Sequence, residues 1–496
     1  MNFTAIDAAI IMIYLAATIY AGLRVKKIGE DSAGYFVAGR RVGLSLGVAT
    51  LVASEIGIVT FMYMAEFGFT MGYSGFVVGL LGMIGFIFIG YSGFIVSGLR
   101  KFKIMTVPEF YEIKYDKKVR LLGGVILFIS GMLNMGIFLK FDALFLSETM
   151  GLGQDALLLI MIVMLIVVIG YTILGGMLSV IVTDFMQFIV ITASMLVITI
   201  LILHRVSFAE MTQAVAANYG QGGFNPFKHA RLGWFFIGWN LFANLATGGL
   251  HQPIAAKAFS AKSPKVARRV FLFFGLTLAG RSMIPMIWGI AALAYFGPRL
   301  SPVLGMPRLI ATVAPTGLLG IILAGMLAAS MSTYSAYLLS WSSVATRDIL
   351  TPLKKKPLSE AATIAVSRIF SLLIGLFLLV FGLLYEIPET AYQYLYITGT
   401  MYASGAFATV AGGLYWKKAN RHGAMAALSI GIVMPLLFLV LTKCKSVLPG
   451  SLSFLTDVNM AGFIGMLLPL ASMIVVSLCT QKSCPAKILA ETEENA

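Results

Sequence analysis

Residues 50–69 read TLVASEIGIVTFMYMAEFGF. The run is long enough to cross a bilayer as a helix, which takes about 20 apolar residues, yet its middle resists one. Between Ala53 and Thr60 stand a carboxylate (Glu55), a glycine (Gly57) and the β-branched Ile56, Ile58 and Val59. That is poor material for a continuous helix. A membrane tolerates an interrupted helix only where the freed backbone groups are buried in protein or line a cavity. The stretch is therefore expected to be a broken transmembrane helix whose carbonyls face a site.

The rest of the chain supports a membrane setting. Of 496 residues, 59% are hydrophobic and 11% charged, whereas soluble domains carry about 25% charged residues. Soluble enzymes, nucleic-acid binders and secreted disulfide scaffolds are poor readings of such a composition. Apolar segments fall near 5–24, 45–70, 74–98, 120–146, 155–174, 180–203, 233–253, 269–297, 309–340, 362–385, 390–413, 423–442 and 460–480, which makes 13 expected spans. The first has no basic region before it and no cleavage site after it, so it reads as a retained helix. Three cysteines and four scattered histidines offer neither a disulfide framework nor metal-ligand spacing.

The net charge of +15 is a matter of topology. With the N-terminus outside, the loops 24–41, 100–120, 257–269, 347–356 and 417–421 and the C-terminal tail hold 26 of the 36 Lys and Arg residues. The positive-inside rule then places the C-terminus in the cytoplasm. Charges within apolar runs include Lys140, Arg281, Arg368, Glu55, Glu66 and Asp184. Arg368, Lys140 and Glu66 lie near span ends, where long side chains can reach the interface. Glu55, Asp184 and Arg281 lie deeper, and a charge there marks a functional site by default.

A second informative stretch is ILAGMLAASMSTYSAYLLSWSS, residues 322–343. Ala329, Ser332 and Thr333 stand at i, i+3 and i+4, on one helical face. Two hydroxyls and a carbonyl there suit a small hard cation such as Na⁺. Such a small-residue face would equally serve close helix packing.

YFVAGRRVG (35–43), TVPEFYEIKY (106–115), GGMLSVIVTDFMQ (175–187), AFSAKS (258–263) and LAASMSTYSAYLLSWSSVATRDIL (327–350) together resemble the sodium:solute symporter family, which includes the sodium/proline, sodium/pantothenate and sodium/glucose carriers. The resemblance implies an all-α polytopic fold with two inverted five-helix repeats, at 45–203 and 233–413. One extra helix with the first loop (1–44) precedes them, 204–232 forms an external loop, and two helices with a short tail (414–496) follow. The first helix of each repeat, the first and sixth of the core, would be broken near the midplane, where substrate and ions bind. In the sixth, WFFIGWNLFANLATGGLHQP, the interruption is expected at Gly248–Gly249 and Pro253.

The resemblance also implies a site, residue by residue. The family's midplane sodium takes carbonyls matching Ala53, Ile56 and Ala329 and hydroxyls matching Ser332 and Thr333, with Asp184 close by. A second ion would use Asp184 and Ser335, but Ala336 replaces the other expected hydroxyl, so one sodium is expected. Asn244 matches an asparagine that touches sugar in the family's galactose carrier. The aromatic residues that follow it there correspond to Thr247 and Gly248, which removes a stacking platform for a hexose. Arg281 aligns with a basic residue that reaches the solute, and its planar fork suits a carboxylate. Glu55 either pairs with Arg281 or contacts the other end of the solute. Thr60, Phe61 and Asn134 would lie near the same cavity, with Tyr394, Tyr396 and Thr398 closing it or serving as interfacial anchors.

The expected function is sodium-coupled import of a small polar solute bearing a carboxylate, an amino acid or organic acid, by a multi-pass monomer of a bacterial inner membrane. Its partners are the solute and the lipid bilayer, with no nucleic acid and no enzymatic activity. The alternatives are a proton-coupled or sodium-independent carrier of the same fold, or a symporter of a sugar, polyol or organic cation.

Overall fold

The computed structural model describes residues 3–24, 31–356, 358–385, 391–443 and 454–489. In chain order the helices are α1 (Ala5–Arg24), α2 (Ser32–Val37), α3 (Leu44–Ser54), α4 (Ile58–Met71), α5 (Val77–Ser92), α6 (Val96–Lys101), α7 (Val107–Lys114), α8 (Lys117–Gly136), α9 (Phe138–Met150), α10 (Leu157–Arg205), α11 (Phe208–Tyr219), α12 (Trp234–Leu250), α13 (Gln252–Ser260), α14 (Pro264–Phe296), α15 (Pro302–Val313), α16 (Leu318–Val344), α17 (Thr351–Leu353), α18 (Glu360–Leu384), α19 (Ala391–Tyr415), α20 (Arg421–Lys443) and α21 (Val458–Cys479). Among the described residues, nine helical stretches are long and apolar enough to cross a membrane. Outside those stretches lie α3, the first arm of α10, α12 with α13, and α19, while α4 and α5 share the stretch Ile58–Ser92. A helix satisfies its backbone hydrogen bonds within its own segment, as hydrocarbon demands.

The interruptions have local causes. Glu55, Ile56 and Gly57 separate α3 from α4, with Gly57 extended at φ −100°, ψ 170°. A methyl group at Gly57 would lie 3.1 Å from Thr333 Oγ1, so the glycine lets the break sit directly against α16. The two arms of α10 meet at Gly176, whose φ of +61° and ψ of −164° fall in a region that is essentially glycine's own.

Two sequence expectations need correction. Gly248 and Gly249 do not interrupt the sixth core helix; they lie within α12, packed on Phe86, Ile89 and Ile95. The break falls at His251, in extended conformation, and Pro253 opens α13. Proline lacks an N–H and fits the first turn of a helix, so the chain restarts there. Span nine was expected at 309–340, but residues up to Val313 belong to α15 and α16 starts at Leu318. Gly317 at φ +83° turns the chain, and the Asp7 carboxylate of α1 accepts the N–H groups of Gly317 (2.8 Å) and Gly320 (2.7 Å).

The packing is doubled. Second helix meets second helix where α5 packs on α14, and the pairing of α10 with α16 recurs as α19 with α8. These are equivalent contacts if the set beginning at α3 is matched to the set beginning at α12. Outside them, α11 and the turn after it fold back on α4: Tyr219 donates to the Phe69 carbonyl at 2.6 Å, and Ser74 to that of Gly222. On the side of the basic loops, Arg120 pairs with Glu112 (2.7 Å) and Asp348 (2.9 Å), and Arg347 with Glu109 (2.6 Å). There the Lys114 amine donates to the Lys487 carbonyl at 2.7 Å. Burial and the neighbouring Lys487 charge hold its pKa below the usual lysine value.

Candidate functional site

The α3/α4 break, α16 and the second arm of α10 converge on one buried point. Ala53, Ile56 and Ala329 are buried, as are Ser332 and Thr333. The Ala53 carbonyl, at the end of α3, accepts from the backbone N–H of Glu55 and, at 3.3 Å, from that of Ile56. Thr333 Oγ1 is buried without a hydrogen-bond partner, facing Gly57 of the break. Ser332 donates to Asp184 Oδ1 at 2.6 Å, which leaves its oxygen lone pairs free. Tertiary structure thus gathers oxygens from two elements at the break, and one of them is unsatisfied. Such an oxygen-only set fits a hard monovalent cation.

Asp184 is engaged on both oxygens. Oδ2 accepts from Thr50 Oγ1 and, at 3.0 Å, from the Lys257 ammonium, which also reaches Thr50 Oγ1 at 2.7 Å. Lys257 was counted with the cytoplasmic loop charges. It is instead interior, its side chain 1% exposed against 0% for Asp184. The signal was present in that Lys257 lies next to an apolar turn that follows the second break, but its partner is 73 residues away. Ser335 spends its hydroxyl on the Ser332 carbonyl at 3.0 Å.

Beside this point lies a cavity of about 250 Å³, lined among others by Glu55, Thr60, Asn134, Asn244, Thr247 and Arg281. Six of the eight residues expected at the solute therefore share one space. Phe61 does not; it is 1% exposed and stacks on Trp288 at 5.7 Å, because its position on α4 faces α14. The side chain of Tyr396 lies outside the described residues. Tyr394 and Thr398 are not in the lining: Tyr394 donates to the Leu133 carbonyl at 2.6 Å, and Thr398 Oγ1 accepts from Asn134 at 2.9 Å. They hold α19 to α8 and orient Asn134.

The charges in the cavity are poised. Arg281 Nε and Nη1 and Glu55 Oε1 are buried without hydrogen-bond partners, and the guanidinium lies 5.2 Å from the Phe274 ring centre. Glu55 and Arg281 line the same space, yet no ion pair joins them among the described residues. The expected loss of an aromatic platform is only half right. Thr247 and Gly248 offer none, but Tyr63, Tyr337, Trp341 and His251 face the cavity from other helices. His251, at the second break, sits 5.4 Å from Tyr337 and 5.6 Å from Trp341, ring centre to ring centre. All four lie within stretches quoted for the two breaks and for α16, but which way their rings turn depends on the packing of distant helices.

Known proteins are similar to this chain in sequence and in fold. The sodium/sialic acid symporter SiaT of Proteus mirabilis is 27% identical, the match covering 76% of this chain and 77% of that one. Sodium/glucose cotransporter 4 of Danio rerio is 25% identical over 96% and 79%. The solved substrate-bound, outward-open structure of a Na⁺-coupled sialic acid symporter superposes with a TM-score of 0.83 at 22% identity, covering 99% of this chain and all of that one. Mhp1, a nucleobase-cation-symport-1 family transporter, has a TM-score of 0.57 at 15% identity, covering 93% and 98%. These relatives and fold neighbours are transporters, and the sodium:solute symporter family itself matches residues 35–431. With two broken helices meeting at a buried oxygen cluster beside a polar cavity, the chain belongs to the sodium:solute symporter family.

Proposed function

We propose that the protein is a symporter that moves one sodium ion with a small polar solute bearing a carboxylate, such as an amino acid or organic acid. Sodium binds the carbonyls of Ala53, Ile56 and Ala329 and the hydroxyls of Ser332 and Thr333, with Asp184 behind Ser332. The observation that carries the ion site is the buried, partnerless Thr333 Oγ1 at the helix break. The Arg281 fork supports the carboxylate, since two of its nitrogens are buried without partners beside the cavity. A charge-assisted hydrogen bond from either nitrogen to a solute carboxylate would satisfy it.

In this reading the ion ties α3/α4 to α16, favours the outward-open state and so prepares the cavity for solute. The repeats 45–203 and 233–413 then rock, the N-terminus lying outside and the C-terminus inside the inner membrane of a bacterium. The unit is a monomer. Each charge moved inward gains about 2.3 kcal/mol per 100 mV, enough for roughly fifty-fold accumulation at that voltage.

A neutral sugar is the second reading. It is supported by the aromatic faces of Tyr63, Tyr337 and Trp341 on the cavity and by the sialic acid and glucose symporters among the relatives. A thermal-shift screen of the purified protein in Na⁺ and in K⁺, against carboxylates, amino acids, sugars and organic cations, separates the readings. Carboxylates that stabilise only in Na⁺, and no longer do so in Arg281→Lys, support the proposal. Stabilisation by neutral sugars alone overturns the carboxylate, and indifference to the cation overturns the sodium site.

A further inference from the structure

Asp142, on α9, is a second buried aspartate, and the ion site described above does not use it. It is 1% exposed, and neither carboxylate oxygen has a hydrogen-bond partner. The hydroxyls of Ser330 and Tyr334 of α16 lie beside it, short of hydrogen-bond geometry. Tyr334 Oη is itself buried and partnerless, and its ring stands edge-on to Phe138, one turn before Asp142.

The charged residues on the surrounding elements are accounted for elsewhere. Lys140 of α9 donates to the Tyr385 carbonyl at 2.5 Å. Arg308 of α15 pairs with Glu148 at 3.1 Å, Asp184 of α10 pairs with Lys257, and Arg368 of α18 donates to the Ile173 carbonyl. On α4 the acidic group is Glu66, also buried. An ionised carboxylate cannot stay alone at such a depth; it is neutralised by a proton or by a bound cation.

We propose that Asp142, with Ser330 and Tyr334, is a second coupling site that takes one monovalent positive charge, a proton or a sodium ion. The link to transport is Ser330. Its Oγ accepts from Ile58 N–H at 3.4 Å, and Ile58 is the first residue of α4, next to Gly57 of the break. That bond leaves its hydroxyl hydrogen to donate, and Asp142 is the unpartnered acceptor beside it. Charging or neutralising Asp142 alters what Ser330 bonds, and so the hold of α16 on the start of α4. Ser332, which meets Asp184, lies about 160–200° around α16 from Ser330 and Tyr334, so the helix carries an aspartate on each of two opposite sides.

Sodium itself is the probe, and no solute is needed. Infrared absorption spectra in Na⁺ and in K⁺ buffers, with wild-type-minus-variant differences and sodium titrations followed by thermal shift, are recorded for the wild type, Asp142→Asn, Tyr334→Phe and Thr333→Val. If the charge is a proton, the wild type shows a carboxylic-acid band that vanishes in Asp142→Asn and shifts in Tyr334→Phe, while sodium affinity stays within about twofold. If it is sodium, no such band is present, and the sodium titration falls from two sites to one in Asp142→Asn but stays at wild-type steepness in a site-distant control. Thr333→Val reports on the first ion alone, so failure there is distinguishable from failure at Asp142. Wild-type band and wild-type titration in both Asp142→Asn and Tyr334→Phe overturn the proposal. Should Asp142→Asn not fold, Tyr334→Phe and Ser330→Ala carry the same comparison.

Discussion

Asp184 and Asp142 flank α16 from opposite sides, and they are opposites in chemistry. Asp184 meets Ser332, whereas Asp142 lies beside Ser330 and Tyr334, about 200° around the helix from Ser332. Both are fully buried. Asp184 is satisfied by Thr50, Ser332 and the Lys257 ammonium, while Asp142 has no hydrogen-bond partner. Burial alone therefore does not say what an intramembrane acid does. An acid with its own lysine is held in a fixed charge state and orders its surroundings. One without a partner has to exchange a proton or cation with something else.

The largest effect is expected where the pair is split. Asp184→Asn strands the Lys257 ammonium in the interior, and breaking a buried pair by removing one partner costs about 3–5 kcal/mol. Thermal unfolding in detergent should show that loss, and Asp184→Asn with Lys257→Met should recover most of it. A single variant as stable as wild type would erase the distinction between the two aspartates.

Next comes the ion itself. Thr333→Val keeps the shape but removes the hydroxyl, and a hydrogen bond or ligand to a charged group is worth about 1.5–3 kcal/mol. Sodium-dependent stabilisation should weaken by roughly ten- to a hundredfold in concentration, while stability in K⁺ changes little. An unchanged sodium titration would move the ion away from the α3/α4 break.

Gly176 tests the kink that brings the Asp184 arm of α10 into place. Gly176→Ala puts a methyl group 2.8 Å from Tyr35 Cδ2, at φ +61°. It should cost about 1–3 kcal/mol, read as a lowered unfolding temperature. The smallest effect is expected at Asp142→Asn. Removing an unpartnered buried carboxylate should leave stability within about 1 kcal/mol of wild type or raise it. A loss as large as that of Asp184→Asn would mean that Asp142 is structurally paired after all.

Hydropathy places the spans because lipid imposes one rule on every residue that faces it. Glu55 and Gly57 announced the first break for the same reason: neither suits a continuous apolar helix. The second break was misplaced by a few residues, since a glycine pair packed between helices has the same composition as one that ends a helix. Asp142 lies two residues from Lys140 in FLKFDALF. Nearby opposite charges in a sequence suggest a pair, but Lys140 turns to Tyr385 and leaves Asp142 unpartnered.

The sequence by itself determined that this chain crosses the membrane many times, is interrupted at Glu55–Gly57, and presents Ala329, Ser332 and Thr333 on one helical face. These follow from composition and local period, which depend only on near neighbours. Tertiary structure alone decided that Lys257 belongs to Asp184, that Tyr337, Trp341 and His251 face the cavity, and that Phe61 does not. It also set Asp142 beside α16 without a partner. Such contacts join residues far apart in the chain, and their chemistry exists only once distant helices pack.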